Sequence, residues 1–157
     1  MENTTPSRRF IADLANLEAT REAEAAFTEK HGVALDHETI SSLKDTAQTL
    51  WSGGSDRSFD ALREILLPFD RKTVGVDWKA RSLSYQPGSI IQAGFYYLLQ
   101  NAHLAKRCAN ECSKRFFFAK RPNERYCSSK CFTEAQRKTK REWWEAHAEE
   151  FKERRKK

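Results

Sequence analysis

The chain has 157 residues, of which 39% are hydrophobic and 32% charged, enough for one ordinary domain and a second, smaller module. Its longest apolar run, residues 93–99, is too short to cross a bilayer and no signal peptide is visible, so a cytoplasmic protein is expected. The formal net charge of +6 is uneven: residues 1–105 carry 11 basic and 14 acidic side chains and residues 106–157 carry 17 and 8, which favours polyanion binding by the C-terminal third.

Apolar residues at helical spacing predict three helices in the first part of the chain, over 8–31, from 36 to 50 or 51, and over 58–67. Gly32 is placed to end the first helix, and Asp36 is placed to cap the second. The run Ser52-Gly53-Gly54-Ser55 is expected to end the second helix, because glycine and serine favour turns.

Residues 73–86 change to a period of two, which predicts two short strands. An apolar helix over 89–105 is expected next, and only Lys106 and Arg107 separate it from the first cysteine. The predicted fold class is therefore α+β, with a mainly helical N-terminal domain over 8–105 that carries a small strand pair. The short connection predicts that this domain is coupled rigidly to the C-terminal third of the chain.

All four cysteines lie in a window of 24 residues, as Cys108 with Cys112 and Cys127 with Cys131. Three residues separate the members of each pair, and fourteen separate the pairs. This is the spacing of a four-thiolate zinc site, so the expected cofactor is one structural Zn²⁺ with no open position for water. Four cysteines buried as small hydrophobes are the alternative, and His103 is considered as a substitute ligand.

The residues around the second pair predict a hairpin followed by a helix. Three consecutive phenylalanines at 116–118 favour a strand, residues 121–124 a turn, and residues 125–126 a short return strand. Ser128 is placed to cap a helix that continues to the C-terminus, so that Cys127 and Cys131 lie one turn apart on one face. A knuckle, a hairpin and a helix in this order predict a treble-clef zinc finger with a long basic helix over 106–157.

The pattern C-x3-C-x3-FF-x-A-K-R-x-N-x-R-Y-C-S-x2-C, followed by a basic helix, resembles the finger of CGNR-type zinc-finger proteins over residues 106–141. The strand pair that ends at Tyr85-x-Pro87, with its following helix, is similar to their N-terminal ABATE domain. The resemblance implies a bacterial DNA-binding transcription regulator with these four cysteines as zinc ligands. The chain departs at the signature itself, since Cys131-Phe132-Thr133-Glu134 stands where Cys-Gly-Asn-Arg would be, so the contacts of that signature do not carry over.

Basic residues of the finger and its helix are the candidate nucleic-acid contacts, with DNA favoured over RNA as the partner. The nine candidates are Arg115, Lys120, Arg121, Arg125, Lys130, Arg137, Lys138, Lys140 and Arg141. A solvated helix with i,i+4 ion pairs is the alternative for the last helix. It explains residues 145–157 better than residues 137–141, where four of five side chains are positive.

The sequence thus favours a zinc-dependent DNA-binding protein, whose acidic first domain senses a signal or forms a homodimer. The alternative function is a protein-interaction module in which zinc holds the helix and Trp143 and Trp144 dock on a partner. No catalytic site is expected, because none of the four histidines lies in the predicted hairpin or in the first helical turn of the finger. No phosphate-binding glycine loop and no nucleophile elbow is present in the sequence.

Overall fold

The computed structural model describes residues 5–54, 56–66, 74–77, 82–110 and 112–154. The helices and strands are α1 (Pro6–Ala15), α2 (Arg21–His31), α3 (His37–Trp51), α4 (Asp56–Leu66), β1 (Val74–Asp77), β2 (Ser82–Tyr85), α5 (Ile90–Gln100), a 3-10 turn (Ala102–Leu104), β3 (Ala105–Arg107), β4 (Phe116–Phe118) and α6 (Ser129–Arg154). None of the described helices has the length and apolar character to cross a membrane. Parts of several predicted elements lie outside the described residues, namely Ser55, Leu67, Thr73, 78–81 and 155–157.

The first predicted helix is in fact two, so the prediction of one continuous helix over 8–31 is wrong. Residues 16–20 separate α1 from α2. At the end of α1, the Asn16 side chain donates a hydrogen bond to the Ala12 carbonyl. At the start of α2, the Thr20 hydroxyl accepts a hydrogen bond from the backbone N–H of Ala23. Short polar side chains offer the backbone such alternatives to helical hydrogen bonds. Gly32 ends α2 with a left-handed φ of 62°, as predicted.

The second predicted helix corresponds to α3, which begins and ends as predicted. Asp36 Oδ1 accepts a hydrogen bond from the backbone N–H of Thr39 at 2.7 Å. Hydrogen bonding by the Thr39 side chain, and then by its backbone, lowers the pKa of the Asp36 carboxyl. The helix ends before Gly53 and Gly54, whose φ angles are 108° and 78°. Glycine adopts these positive angles without the steric cost that a side chain would add.

The predicted strand pair is confirmed, because β1 and β2 pair antiparallel with Val74 opposite Tyr85. The predicted helix over 89–105 is too long, since α5 ends at Gln100. The Asn101 side chain donates to a backbone carbonyl one turn back at 2.9 Å, and a short 3-10 turn leads into β3. The chain therefore enters the first cysteine pair from a strand and not from a helix.

The hairpin of the finger differs from the one predicted. β4 pairs antiparallel with β3, which precedes the first cysteine, and the described residues 125–126 belong to no strand. The first cysteine pair itself forms the turn of this hairpin, where Cys108 donates its N–H to the Arg115 carbonyl at 2.7 Å. The Arg125 carbonyl accepts a hydrogen bond from the backbone N–H of Ala109 in this turn, at 2.9 Å.

One hydrophobic core joins the helices and the finger hairpin. Its largest fully buried side chains are Phe10, Phe95, Ile11, Leu14 and Leu98. Phe116 and Phe118 of β4 belong to the same buried cluster, and the Phe118 ring centroid lies 4.6 Å from that of Trp51. α1 comes so close to α5 that a Cβ at Gly94 would lie 2.7 Å from the Phe10 ring. The base of the finger is therefore fixed by the helical core.

Candidate metal centre and basic surface

The four cysteine sulfurs form one cluster, in which all of them lie within 4.8 Å of one another. Cys127 Sγ lies 3.6 Å from Cys112 Sγ and 3.5 Å from Cys131 Sγ. A tetrahedral zinc ion with Zn–S bonds of about 2.3 Å holds its sulfurs about 3.8 Å apart. The predicted ligands thus form a single structural metal site that fits one Zn²⁺. Among the described residues, the exposed His103 is not part of this cluster.

Two local structures bring the cysteine pairs together. Cys108 follows β3 directly, and its sulfur accepts the N–H of Cys127 at 3.5 Å. Cys131 lies in the first turn of α6, where its N–H donates to the Ser128 hydroxyl at 3.2 Å. Ser128 therefore caps the helix as predicted. The N–H groups of Cys127 and Cys131, each donated to a side-chain acceptor, thus help to hold the strand end and the helix start side by side.

The thiols differ in pKa because their surroundings differ. Burial, and then contact with Cys131 and the other thiols, raises the pKa of Cys127 to about 12. Burial likewise raises the pKa of Cys112. A hydrogen bond with Ser128, followed by contact with Cys127, lowers the pKa of Cys131. A divalent cation must displace the protons from the first two thiols, so metal binding and proton release are coupled here.

Three side chains of the helical part hold the finger hairpin by its backbone. Asn16 donates to the Phe116 carbonyl at 2.7 Å and accepts the Phe116 N–H at 2.9 Å, as a neighbouring strand would. Arg8 donates to the Phe118 carbonyl at 3.2 Å, and Trp51 Nε1 donates to the Lys106 carbonyl at 3.1 Å. Sequence reasoning missed these residues, because no local pattern links Asn16 to a partner 100 positions away.

The nine predicted nucleic-acid contacts are all exposed in the structure. They comprise Arg115, Lys120, Arg121, Arg125, Lys130, Arg137, Lys138, Lys140 and Arg141. Lys130 Nζ lies 4.0 Å from a carboxylate oxygen of Glu134, whose other oxygen accepts from Asn110 at 3.2 Å. Glu134 thus links the knuckle to the helix and offsets part of the positive charge there.

The helix α6 projects from the metal centre into solvent. From Phe132 to Ala146 every side chain except Ala135 is exposed. At about 100° per residue the four basic residues 137, 138, 140 and 141 span about 160° of the helix circumference, and Lys130 falls within the same arc. Glu134 and Glu145 also fall within this arc, which is therefore a mainly positive face with five basic and two acidic side chains between residues 130 and 145.

Large aromatic side chains lie on the same helix. Phe132, Trp143 and Trp144 are 47%, 46% and 47% exposed. The two tryptophan rings pack edge to face with centroids 5.1 Å apart, and Trp143 stacks on His147 at 4.5 Å. Phe132 and Trp143 lie on the side of α6 that faces away from the basic arc, whereas Trp144 lies within the arc.

The cysteine cluster and its following helix are those expected of a zinc finger. The first cysteine pair lies in the turn of the hairpin formed by β3 and β4. In the second pair, Cys127 precedes α6 and Cys131 lies in its first turn. Comparison of the sequence with models of known protein families and with curated proteins gives no match to either.

Proposed function

We propose that this chain is a zinc-stabilised DNA-binding protein and acts as a transcription regulator, as its resemblance to CGNR-type fingers implies. The observation that carries the proposal is the exposed basic arc of α6, whose four residues 137, 138, 140 and 141 begin about one and a half helical turns after Cys131. In this proposal the zinc is structural, because four cysteines leave no position for water, and the protein is not an enzyme.

The charge of the arc suits phosphate contact better than base reading. Its four basic residues 137, 138, 140 and 141 are spread around the helix, so a helix that lies along the backbone brings more of them to phosphates than one that enters a groove end-on. Arg121 and Arg125 of the finger are exposed beside the knuckle and would extend the same contact. Binding of this kind positions a protein on DNA without specifying sequence.

The experiment that tests the proposal is a salt titration of duplex binding, read by fluorescence anisotropy. The change is a Lys138/Lys140/Arg141→Ala variant. Each phosphate contact contributes about 0.9 to the slope of log K against log salt, so the variant should bind more weakly and lose up to about 2.7 from that slope. Its zinc content should remain that of the wild type, because none of the three residues touches the cysteines.

A matched control removes the same charge elsewhere. An Arg21/Arg57/Arg63→Ala variant deletes three exposed basic side chains from the helical part. It should keep most of the affinity and the full salt slope. Equal losses in both triple variants would mean that only net charge is being measured, and would count against α6 as the contact surface.

A second candidate function is a protein-interaction module. The exposed Phe132 and Trp143 favour it, since large exposed aromatic side chains are typical of interface anchors. Aromatic docking weakens little with salt, whereas phosphate binding weakens steeply. If the triple α6 variant bound every DNA tested like wild type, this second function would be favoured, and Trp143→Ala would be the next variant.

A further inference from the structure

A groove separates the finger from the first two helices. It has a volume of about 580 Å³, and its walls are α1 and α2 on one side and residues 113–127 of the finger on the other. Sites for small organic ligands have volumes of roughly 300–1,000 Å³. The groove is therefore large enough for a molecule of two or three rings.

The floor of the groove is apolar. Phe27, Phe116 and Phe118 contribute to it and are only 4%, 9% and 7% exposed. Ala23 and Ala26 of α2 add small side chains, which keep the groove open. A ligand would gain about 25 cal/mol for each Å² of apolar area that it removed from water, and this area comes mainly from the more exposed Ala26 and Phe117, because the three floor rings are already almost buried.

The rim of the groove is rich in positive charge. Five basic side chains line it, against three acidic ones: Arg8, Arg9, Lys30, Lys114 and Lys120 against Asp13, Glu18 and Glu124. Asp13 is already engaged by Lys30 at 2.8 Å and by His31 at 3.0 Å, and Glu124 accepts the backbone N–H of Lys120 at 2.6 Å.

Two of the basic side chains are placed to hold an anion. Arg9 on α1 and Lys114 on the finger are exposed on opposite walls, and neither forms an ion pair with another described residue. Arg8 uses a guanidinium N–H for the Phe118 carbonyl, which leaves further donors on a fixed group at the groove wall.

We propose that this groove binds a small organic anion, with an aromatic or other apolar body on the phenylalanine floor and a carboxylate or sulfonate between Arg9 and Lys114. The site does not depend on DNA binding, so either proposal can fail alone. Because both the helices and the finger line the groove, and Cys127 is among its lining residues, a bound anion also bridges the helical part to the metal centre.

The test uses anilinonaphthalene sulfonate as the probe and phenylnaphthylamine, the same body without the sulfonate, as its neutral counterpart. In the zinc-loaded protein an Arg9→Glu/Lys114→Glu variant should bind the sulfonate about tenfold more weakly, from about 1.4 kcal/mol of lost attraction. Binding of the neutral probe should be unchanged. An Ala26→Trp variant, which fills the groove, should weaken both probes.

The control is an Arg57→Glu/Arg63→Glu variant on α4, with the same change in net charge outside the groove. If it weakened the sulfonate as much as the groove variant did, or if Ala26→Trp left binding intact, the proposal would be overturned. Circular dichroism verifies folding. Should the charge-reversal variant not fold, the Ala26→Trp result decides alone.

Zinc release gives a second readout. If zinc leaves only when the groove is empty, the sulfonate at ten times its Kd should slow zinc transfer to a chelator about tenfold. The Ala26→Trp variant should not show this protection. An unchanged rate of release in the wild type, at a saturating probe concentration, would overturn the bridging role.

Discussion

Replacing Asn16 by alanine should loosen the finger from the helical core. The Asn16 side chain is the edge partner of Phe116 on β4, through one donated and one accepted hydrogen bond at 2.7 and 2.9 Å. Alanine removes both bonds and leaves the N–H and C=O of Phe116 without a protein partner in a partly buried position.

The expected loss of stability follows from these two bonds. A hydrogen bond in a protein contributes about 0.5–1.5 kcal/mol, and a buried group left without a partner costs about 1–3 kcal/mol. Two bonds give a decrease in the free energy of unfolding of about 2–4 kcal/mol. For a chain of this length a 2 kcal/mol loss lowers Tm by about 4–8 °C.

Thermal and denaturant unfolding of the zinc-loaded protein would measure the effect. Asn123→Ala is the matched control, because Asn123 is exposed in the finger turn, and it should change Tm by little. An Asn16→Ala variant within about 0.5 kcal/mol of wild type would show that solvent replaces the asparagine without cost. The role assigned to Asn16 would then be wrong.

Metal analysis should give one zinc per chain, and Cys127→Ser should lose it; full metal in that variant would contradict the ligand set. Since the pKa of Cys127 is raised to about 12 and that of Cys112 is also raised, both thiols are protonated at neutral pH without metal. Zinc affinity should therefore fall with falling pH, by about two log units per pH unit from these two thiols alone, between about pH 8 and pH 6 in chelator competition. Gly94→Val should lower the free energy of unfolding by about 1–3 kcal/mol, because the valine Cβ would collide with the Phe10 ring. The control is Gln100→Val, at the exposed end of α5. Equal losses of stability in the two variants would refute the role of close packing at Gly94.

The features that sequence predicted well depend on near neighbours. The cysteine spacing, the Asp36 cap and the Gly32 stop each need only a few adjacent residues, and all three are found in the structure. The break between α1 and α2 also had a local signal, since Thr20 precedes Glu22 and Glu24 in the order typical of a helix start. The apolar periodicity of the longer segment masked it.

The features that sequence predicted wrongly depend on distant partners. Phe116–Phe118 was correctly assigned to a strand, but its partner is β3 and not the predicted segment 125–126. That choice is settled by Asn16 and Trp51, which bind the backbone of the two paired strands from helices far away in the chain. The early end of α5 follows from the same pairing, because Ala105 is needed as a strand residue.

Because α6 is long and begins at the metal centre, a small change in its angle there moves its far end by a large distance. Beyond Cys131, α6 continues for about 35 Å to Arg154 at about 1.5 Å per residue. A tilt of about 10° at the sulfurs would move its far end by about 6 Å, more than the axial rise of roughly 3.4 Å per nucleotide of a DNA strand. A larger ion such as Cd²⁺, with longer bonds to sulfur, would therefore change where the far end of the helix reaches while leaving the helical core unchanged.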